Sequence, residues 1–284
     1  MKVIYIVFAA IILIILALLT CTPIPDLINS YAIFHPEKPD IETYKNVLSE
    51  YEKNIEHIDV VTEDGHKLDT IFFNKNRNPS WDDTIIIYFH GNAGWIGNSI
   101  RSEKIKFLSN YGSVILFDYR GYGISTGIPN EKGMYIDANA IWKTITQKCK
   151  PENIILYGHS LGSSIASHLV KELCEKLEEL PRGLLLEAPF STIEKIAIDI
   201  HPLLAHVSTT KFNNLYNIEK IHKCKNEFPI VIFHSNDDDI IPFSHSEHIV
   251  SQTDAILINI DGTHNIPIYT EKSIKTIENL CSKT

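Results

Sequence analysis

Six short runs in this chain are apolar at consecutive positions. They read TIIIYFH (84–90), SVILFDY (113–119), NIILYG (153–158), GLLLEA (183–188), PIVIFH (229–234) and AILINI (255–260). Successive residues of a strand face opposite sides of the sheet. A run apolar on both sides therefore needs cover on both faces, which is how strands of a parallel sheet sit between helices. Helically spaced stretches such as MYIDANAIWKTITQKC and SSIASHLVKELCEKLEEL fall between the runs. Alternating strand and helix predicts an α/β fold, a mostly parallel central sheet with right-handed crossovers. Ligands of such sheets bind beyond the carboxyl ends of the strands. Ahead of these runs, HIDVVTEDGHKLDTIFFN alternates around Asp64-Gly65 and predicts a β-hairpin.

At 284 residues the chain suits one large α/β domain with a substantial core. Its net charge of −9, with no basic block, leaves no electrostatic footprint for nucleic acid. Five scattered cysteines form no C-x-x-C pair, so neither a disulfide framework nor a zinc site is indicated. Residues 3–19 carry no charge over 17 positions, near the lower limit for a membrane-spanning helix. We read residues 1–20 as a single-pass membrane anchor, with a lipoprotein signal ending at Cys21 as the alternative. Lys2 points to a cytoplasmic N-terminus with the domain on the far side; palmitoylation of Cys21 would fit the opposite topology. Residues 21–53, rich in Pro and Tyr, read as a connector, and residues 54–284 as a single α/β domain.

Two segments fit the G-x-S-x-G pattern of a serine-hydrolase nucleophile: GISTG at 123–127 and GHSLG at 158–162. Such a serine needs a sharp turn from a strand straight into a helix, flanked by small residues. Ser160 has that context, between NIILY and the helical SSIASHLVKEL, whose N-terminus offers free N–H groups. Ser125 follows a Gly-rich loop and precedes IPNEKG, with Pro129 and Gly133, so it reads as a turn residue.

A serine hydroxyl needs a base, and the base an orienting carboxylate. In a sheet of this kind they follow in the order Ser, acid, His, each in a loop after a strand. The acid loop HSNDDDIIP offers Asp237, Asp238 and Asp239; the last loop, DGTHNIP, offers His264. An oxyanion hole requires N–H donors fixed where negative charge develops. Leu161, after the serine, supplies the first, and Asn92 in HGNAGWIGN the second, with Ala93 beside it. HGNAG is neither a P-loop nor a dinucleotide fingerprint, and no metal or organic cofactor is called for. His245 and His248 in HSEH read as a helix surface. Between GLLLEA and PIVIFH lie residues 189–228, a short cap. It opens with a capping box at Ser191 and Glu194, and its Leu203, Leu204, Phe212, Leu215 and Tyr216 offer apolar surface equally for an acyl chain or for ordinary packing onto the sheet.

With HGNAG, DYRGYGISTG, GHSLG, NDDDIIP and GTHN in this order, the chain resembles the α/β-hydrolase superfamily. More narrowly, it is similar to small membrane-anchored serine hydrolases of the abhydrolase-domain type, over roughly Tyr31 to the C-terminus. The resemblance aligns H-G-x-x-D-x-x-V-P with His234 to Pro242, with Ser235 in place of the usual Gly, and thereby selects Asp238. It aligns G-x-H-N with His264, and makes GYGISTG a loop beside the site. It implies a Ser160–His264–Asp238 triad acting on carboxylic ester or thioester bonds of small-molecule or lipid acyl substrates. A serine peptidase of related fold, or a non-catalytic membrane binding protein on the same scaffold, are the alternatives.

Overall fold

The computed structural model describes residues 33–76, 78–200 and 210–282. The membrane segment expected at residues 1–20 and the cap residues Leu203 and Leu204 lie outside the described residues. Among the described residues, no helix is long and apolar enough to cross a membrane.

Each of the six apolar runs is a strand. In the main sheet β1 (Ile55–His57) and β2 (Thr70–Phe73) precede β3 (Ile85–Phe89), β4 (Ser113–Phe117), β5 (Ile154–His159), β6 (Gly183–Glu187), β7 (Ile230–Ser235), β8 (Ile256–Gly262) and the short β9 (Pro267–Ile268). Their order is β1-β2-β4-β3-β5-β6-β7-β8-β9. Strands β3 to β8 are mutually parallel, while β1, β2 and β9 join antiparallel. The predicted hairpin forms in two steps: Val60–Val61 pairs with Lys67–Leu68 across the Asp64-Gly65 turn, and β1 pairs with β2.

Both faces of the sheet are covered, as the continuous apolar runs require. Along β3, Ile85, Ile87 and Phe89 enter one core and Ile86 and Tyr88 the other. On the first face lie α4 (Glu131–Thr146), α5 (Leu161–Glu175), α7 (Asn214–Cys224) and α8 (Ser244–Gln252). The second face is covered by α1 (Ile41–Ser49), α2 (Ile96–Arg101), α3 (Glu103–Leu108) and α9 (Glu271–Cys281). The last run departs from expectation: Ile256 is 56% exposed, because β8 lies next to the sheet edge. Helix starts are fixed by side chains that satisfy otherwise orphaned N–H groups. Asp40 accepts from Thr43, Ser102 from Ile105, Asn130 from Gly133, and Thr270 from Ser273.

The second half of the stretch read as a connector is woven into this domain. His35–Pro36 pairs in parallel with Ala93–Gly94, and Val47 and Leu48 of α1 are buried. In the cap region, α6 (Ile193–Ile200) opens differently from the expected capping box. Thr192 Oγ1 accepts from Lys195 N–H at 3.0 Å. The Ser191 hydroxyl is engaged instead with His245 Nδ1 at 3.1 Å. His245, expected on a helix surface, is therefore buried, and its Nε2 reaches Asp199 at 2.9 Å. Of the two readings of Phe212, ordinary packing holds: it is core, packed edge-on against Phe34 and Tyr135.

Candidate active site

The two G-x-S-x-G segments fold differently. Ser160 joins β5 directly to α5, with φ 54° and ψ −118°, backbone angles that a side-chain-bearing residue rarely adopts. It occupies the N-cap position, yet its side chain makes no capping hydrogen bond. Leu161 opens α5, so its N–H has no intrahelical partner. The flanking glycines are there for space. A Cβ on Gly158 would lie 2.6 Å from the Ser163 Cα, and one on Gly162 would lie 2.1 Å from the Phe89 carbonyl oxygen of β3.

Ser125 lies in a loop and is fully engaged. Its hydroxyl accepts from Asp69 N–H at 2.8 Å and donates to the Asp118 carbonyl at 2.8 Å. It ties the loop after β4 to the hairpin, so the reading as a turn residue understates it: it is a buried strut.

The loops after β7 and β8 meet each other, and the second of them meets His159, the residue before Ser160. His264 Nδ1–H donates to Asp238 Oδ2 at 2.8 Å, which leaves Nε2 as the ring's basic nitrogen. Asp238 Oδ1 accepts from the N–H groups of Ile240 and Ile241 at 2.9 and 2.7 Å. Burial works to raise the Asp238 pKa, but hydrogen bonds from His234 and His264 outweigh it and hold the carboxyl well below the usual range. His234, also buried, donates from Nε2 to the Ile241 carbonyl at 3.0 Å and accepts from Ser246 at Nδ1. Of the other two acids, Asp237 is exposed. Asp239 Oδ1 accepts from the His264 N–H at 3.2 Å, holding the backbone of that loop.

The loop after β3 closes the other side. A Cβ on Gly91 would stand 3.6 Å from the Ser160 Cβ, so this backbone lies over the serine. His90 Nδ1 donates to the Gly91 carbonyl at 2.8 Å. That carbonyl shares a planar peptide with the Asn92 N–H, so the imidazole sets the direction of the N–H. Two tyrosines of DYRGYG brace the same loop: Tyr119 donates to the His90 carbonyl at 3.1 Å and Tyr122 to the Asn92 carbonyl at 2.8 Å. Burial lowers the His90 pKa to about 4, so the ring is neutral.

Sequence reasoning missed the layer beneath. His159, the residue before the serine, hydrogen-bonds from Nε2 to the His264 carbonyl at 3.0 Å, and the two rings lie 4.9 Å apart. Glu187, at the end of β6, is buried in an ion pair with Lys104 and accepts from the hydroxyls of Tyr157 and Tyr269. Burial pushes the Lys104 pKa down against this pairing. An acid ending an apolar strand was the available signal; its partner Lys104 sits 83 positions earlier in the chain and gives none. A groove of about 790 Å³ between Pro151, Leu180 and Pro229 lies at the amino ends of the strands, away from this constellation.

The family described as alpha/beta hydrolase fold matches residues 84–195, from β3 into α6. The uncharacterized protein R595 of Acanthamoeba polyphaga mimivirus is 33% identical over 275 residues, covering 89% of this chain and 92% of that protein. The lysophosphatidylserine lipase ABHD12 of Macaca fascicularis is 37% identical over 184 residues, covering 59% of this chain and 44% of that protein. The chain thus aligns with less than half the length of that relative. The structure of an alpha-beta hydrolase from Vibrio vulnificus superposes with a TM-score of 0.68 at 17% identity, over 91% of each chain. Strand order, strand-to-helix elbow, the match over residues 84–195 and the structural likeness agree: the chain has the α/β-hydrolase fold.

Proposed function

We propose that the protein is a membrane-anchored serine hydrolase that cleaves carboxylic ester or thioester bonds of acyl substrates. The observation that carries the reading is the 2.8 Å hydrogen bond from His264 to Asp238, with the His264 carbonyl bonded to His159, the neighbour of a serine held at positive φ. In the reaction, His264 Nε2 takes the Ser160 proton as Oγ attacks the acyl carbonyl. The Leu161 and Asn92 N–H groups hold the oxyanion; one such donor commonly contributes about 2.7–4 kcal/mol to the transition state. The tetrahedral intermediate collapses, the alcohol or thiol leaves with the proton from His264, and an acyl-Ser160 ester remains. His264 then takes a proton from water, which attacks the ester and releases the acid. Asp238 holds the imidazole tautomer throughout and balances its transient positive charge.

An acyl lipid is favoured as substrate by the likeness to a lysophosphatidylserine lipase and by the uncharged run at residues 3–19, which would keep the domain at a membrane. The test is labelling of the full chain with a fluorophosphonate probe. Wild type and Ser125→Ala label, Ser160→Ala does not, and Asp238→Asn hydrolyses p-nitrophenyl esters on the order of 10³–10⁴-fold more slowly. Labelling that survives Ser160→Ala would sink the proposal. A series of p-nitrophenyl esters of increasing chain length then reads the acyl preference.

A further inference from the structure

The first described residues lie at the mouth of the candidate site. The Ile33 carbonyl accepts from Asn92 Nδ2 at 3.1 Å, and His35 N–H donates to the Asn92 carbonyl at 2.8 Å. Glu37 then bonds to Gly94 on one side and to Gly123 on the other, at 3.2 and 2.9 Å. Residues 33–37 are thus stapled across the two loops that flank Ser160 on the β3 side. Only residues 20–32 separate this point from the uncharged apolar run at 3–19.

That tether is short against the domain. Fully extended, it spans ~45 Å. A globule of this size has a radius of gyration of about 18 Å, hence a half-girth of roughly 70 Å. A membrane segment attached at the mouth therefore cannot hold a bilayer against the opposite edge of the sheet.

The surface around the mouth suits such contact. Ile124, Ile198, Ile240 and Ile266 are 40, 49, 57 and 70% exposed. They stand in the loops after β4, β7 and β8 and on α6 after β6, all beyond the carboxyl ends of the parallel strands. The exposed charges flanking Ile240 in its loop are acidic, Asp237 and Asp239, which disfavours an anionic surface.

We propose that the rim formed by these isoleucines seats on a zwitterionic lipid bilayer, so that the acyl substrate passes from the membrane into the site without crossing water. The inference rests on the membrane-anchored hydrolase reading above and specifies how that site meets its substrate.

The test uses the full chain reconstituted in phosphatidylcholine vesicles. With p-nitrophenyl palmitate dissolved in the bilayer, the double variant Ile198→Asp/Ile266→Asp turns over at least tenfold more slowly than wild type, while hydrolysis of water-borne p-nitrophenyl acetate stays within twofold. Independently of activity, brominated phosphatidylcholine quenches the fluorescence added by Ile266→Trp, and does not quench that added by Leu177→Trp on the opposite edge. Equal palmitate rates, or an unquenched Ile266→Trp, overturn the rim proposal. A wild type that hydrolyses neither ester overturns the hydrolase reading, and the quenching comparison still decides the rim.

Discussion

Replacing Gly162 by alanine adds one methyl group at the tightest point of the elbow. The new carbon would lie 2.1 and 2.5 Å from the carbonyl oxygen and carbon of Phe89, and 2.6 Å from the His90 carbonyl oxygen. Ordinary van der Waals contact begins at 3.4 Å, so α5 must retreat from β3 by more than an ångström. All three obstacles are backbone, and no side chain can rotate away. Overpacking of this kind costs about 1–3 kcal/mol, and backbone obstacles place this case near the upper end. Retreat of α5 also carries Ser160 away from His264 and from the loop after β3; a misplacement of about 1 Å costs on the order of 10²-fold in rate. Urea denaturation should show a loss of ~2–3 kcal/mol, and ester hydrolysis should fall about 100-fold with the far-UV spectrum retained. Gly127 holds the same position in the other G-x-S-x-G segment and is the control. It has φ +93°, and the nearest obstacle to an added carbon is the movable His66 ring at 2.9 Å. Gly127→Ala should cost about 1–2 kcal/mol in backbone strain and leave the rate within about threefold. A Gly162→Ala enzyme as active as wild type, or equal rate losses in the two variants, would refute the reasoning.

Ser125→Ala leaves the half-buried Asp69 N–H and the buried Asp118 carbonyl without their Ser125 partner; it should lower stability by about 1–3 kcal/mol and activity modestly at most, read by urea denaturation and ester turnover. Lys104→Met strands the Glu187 carboxylate in the core and should cost about 3–5 kcal/mol, much of it recovered by adding Glu187→Gln; thermal melts of the single and double variants decide this. Burial raises the Asp69 pKa to about 6, above an unfolded value near 3.9. Its contribution to stability is therefore fully present below about pH 3.9 and is lost as pH rises through about 6. Asp69→Asn should remove ~1 kcal/mol of the stability lost between pH 5 and pH 8, measured by urea titration at the two pH values.

Much of the site was legible because its signals are local. Ser160 could be separated from Ser125 by what precedes and follows each: a buried strand and an uninterrupted helix for one, glycines and a proline for the other. His264 follows β8, the last of the parallel strands, where such a fold places its base. Asp238 is different. Three adjacent aspartates are equivalent as letters, and the resemblance chose among them by spacing; the loop then directs Asp238 to the imidazole and Asp239 to its backbone N–H. The capping box at Ser191 failed because a distant histidine, His245, competes for the hydroxyl.

What the sequence alone determined was the α/β architecture and the positions of its strands, since burial on two faces imposes a period that neighbouring residues display. The pairings Lys104–Glu187, His159–His264, Tyr122–Asn92 and His90–Gly91 were decided otherwise. Except for the last, they join residues tens of positions apart, and hydrogen bonds and charge pairs act over a few ångströms of space. Only the crossovers that bring β3 to β8 into one parallel sheet bring those groups within reach.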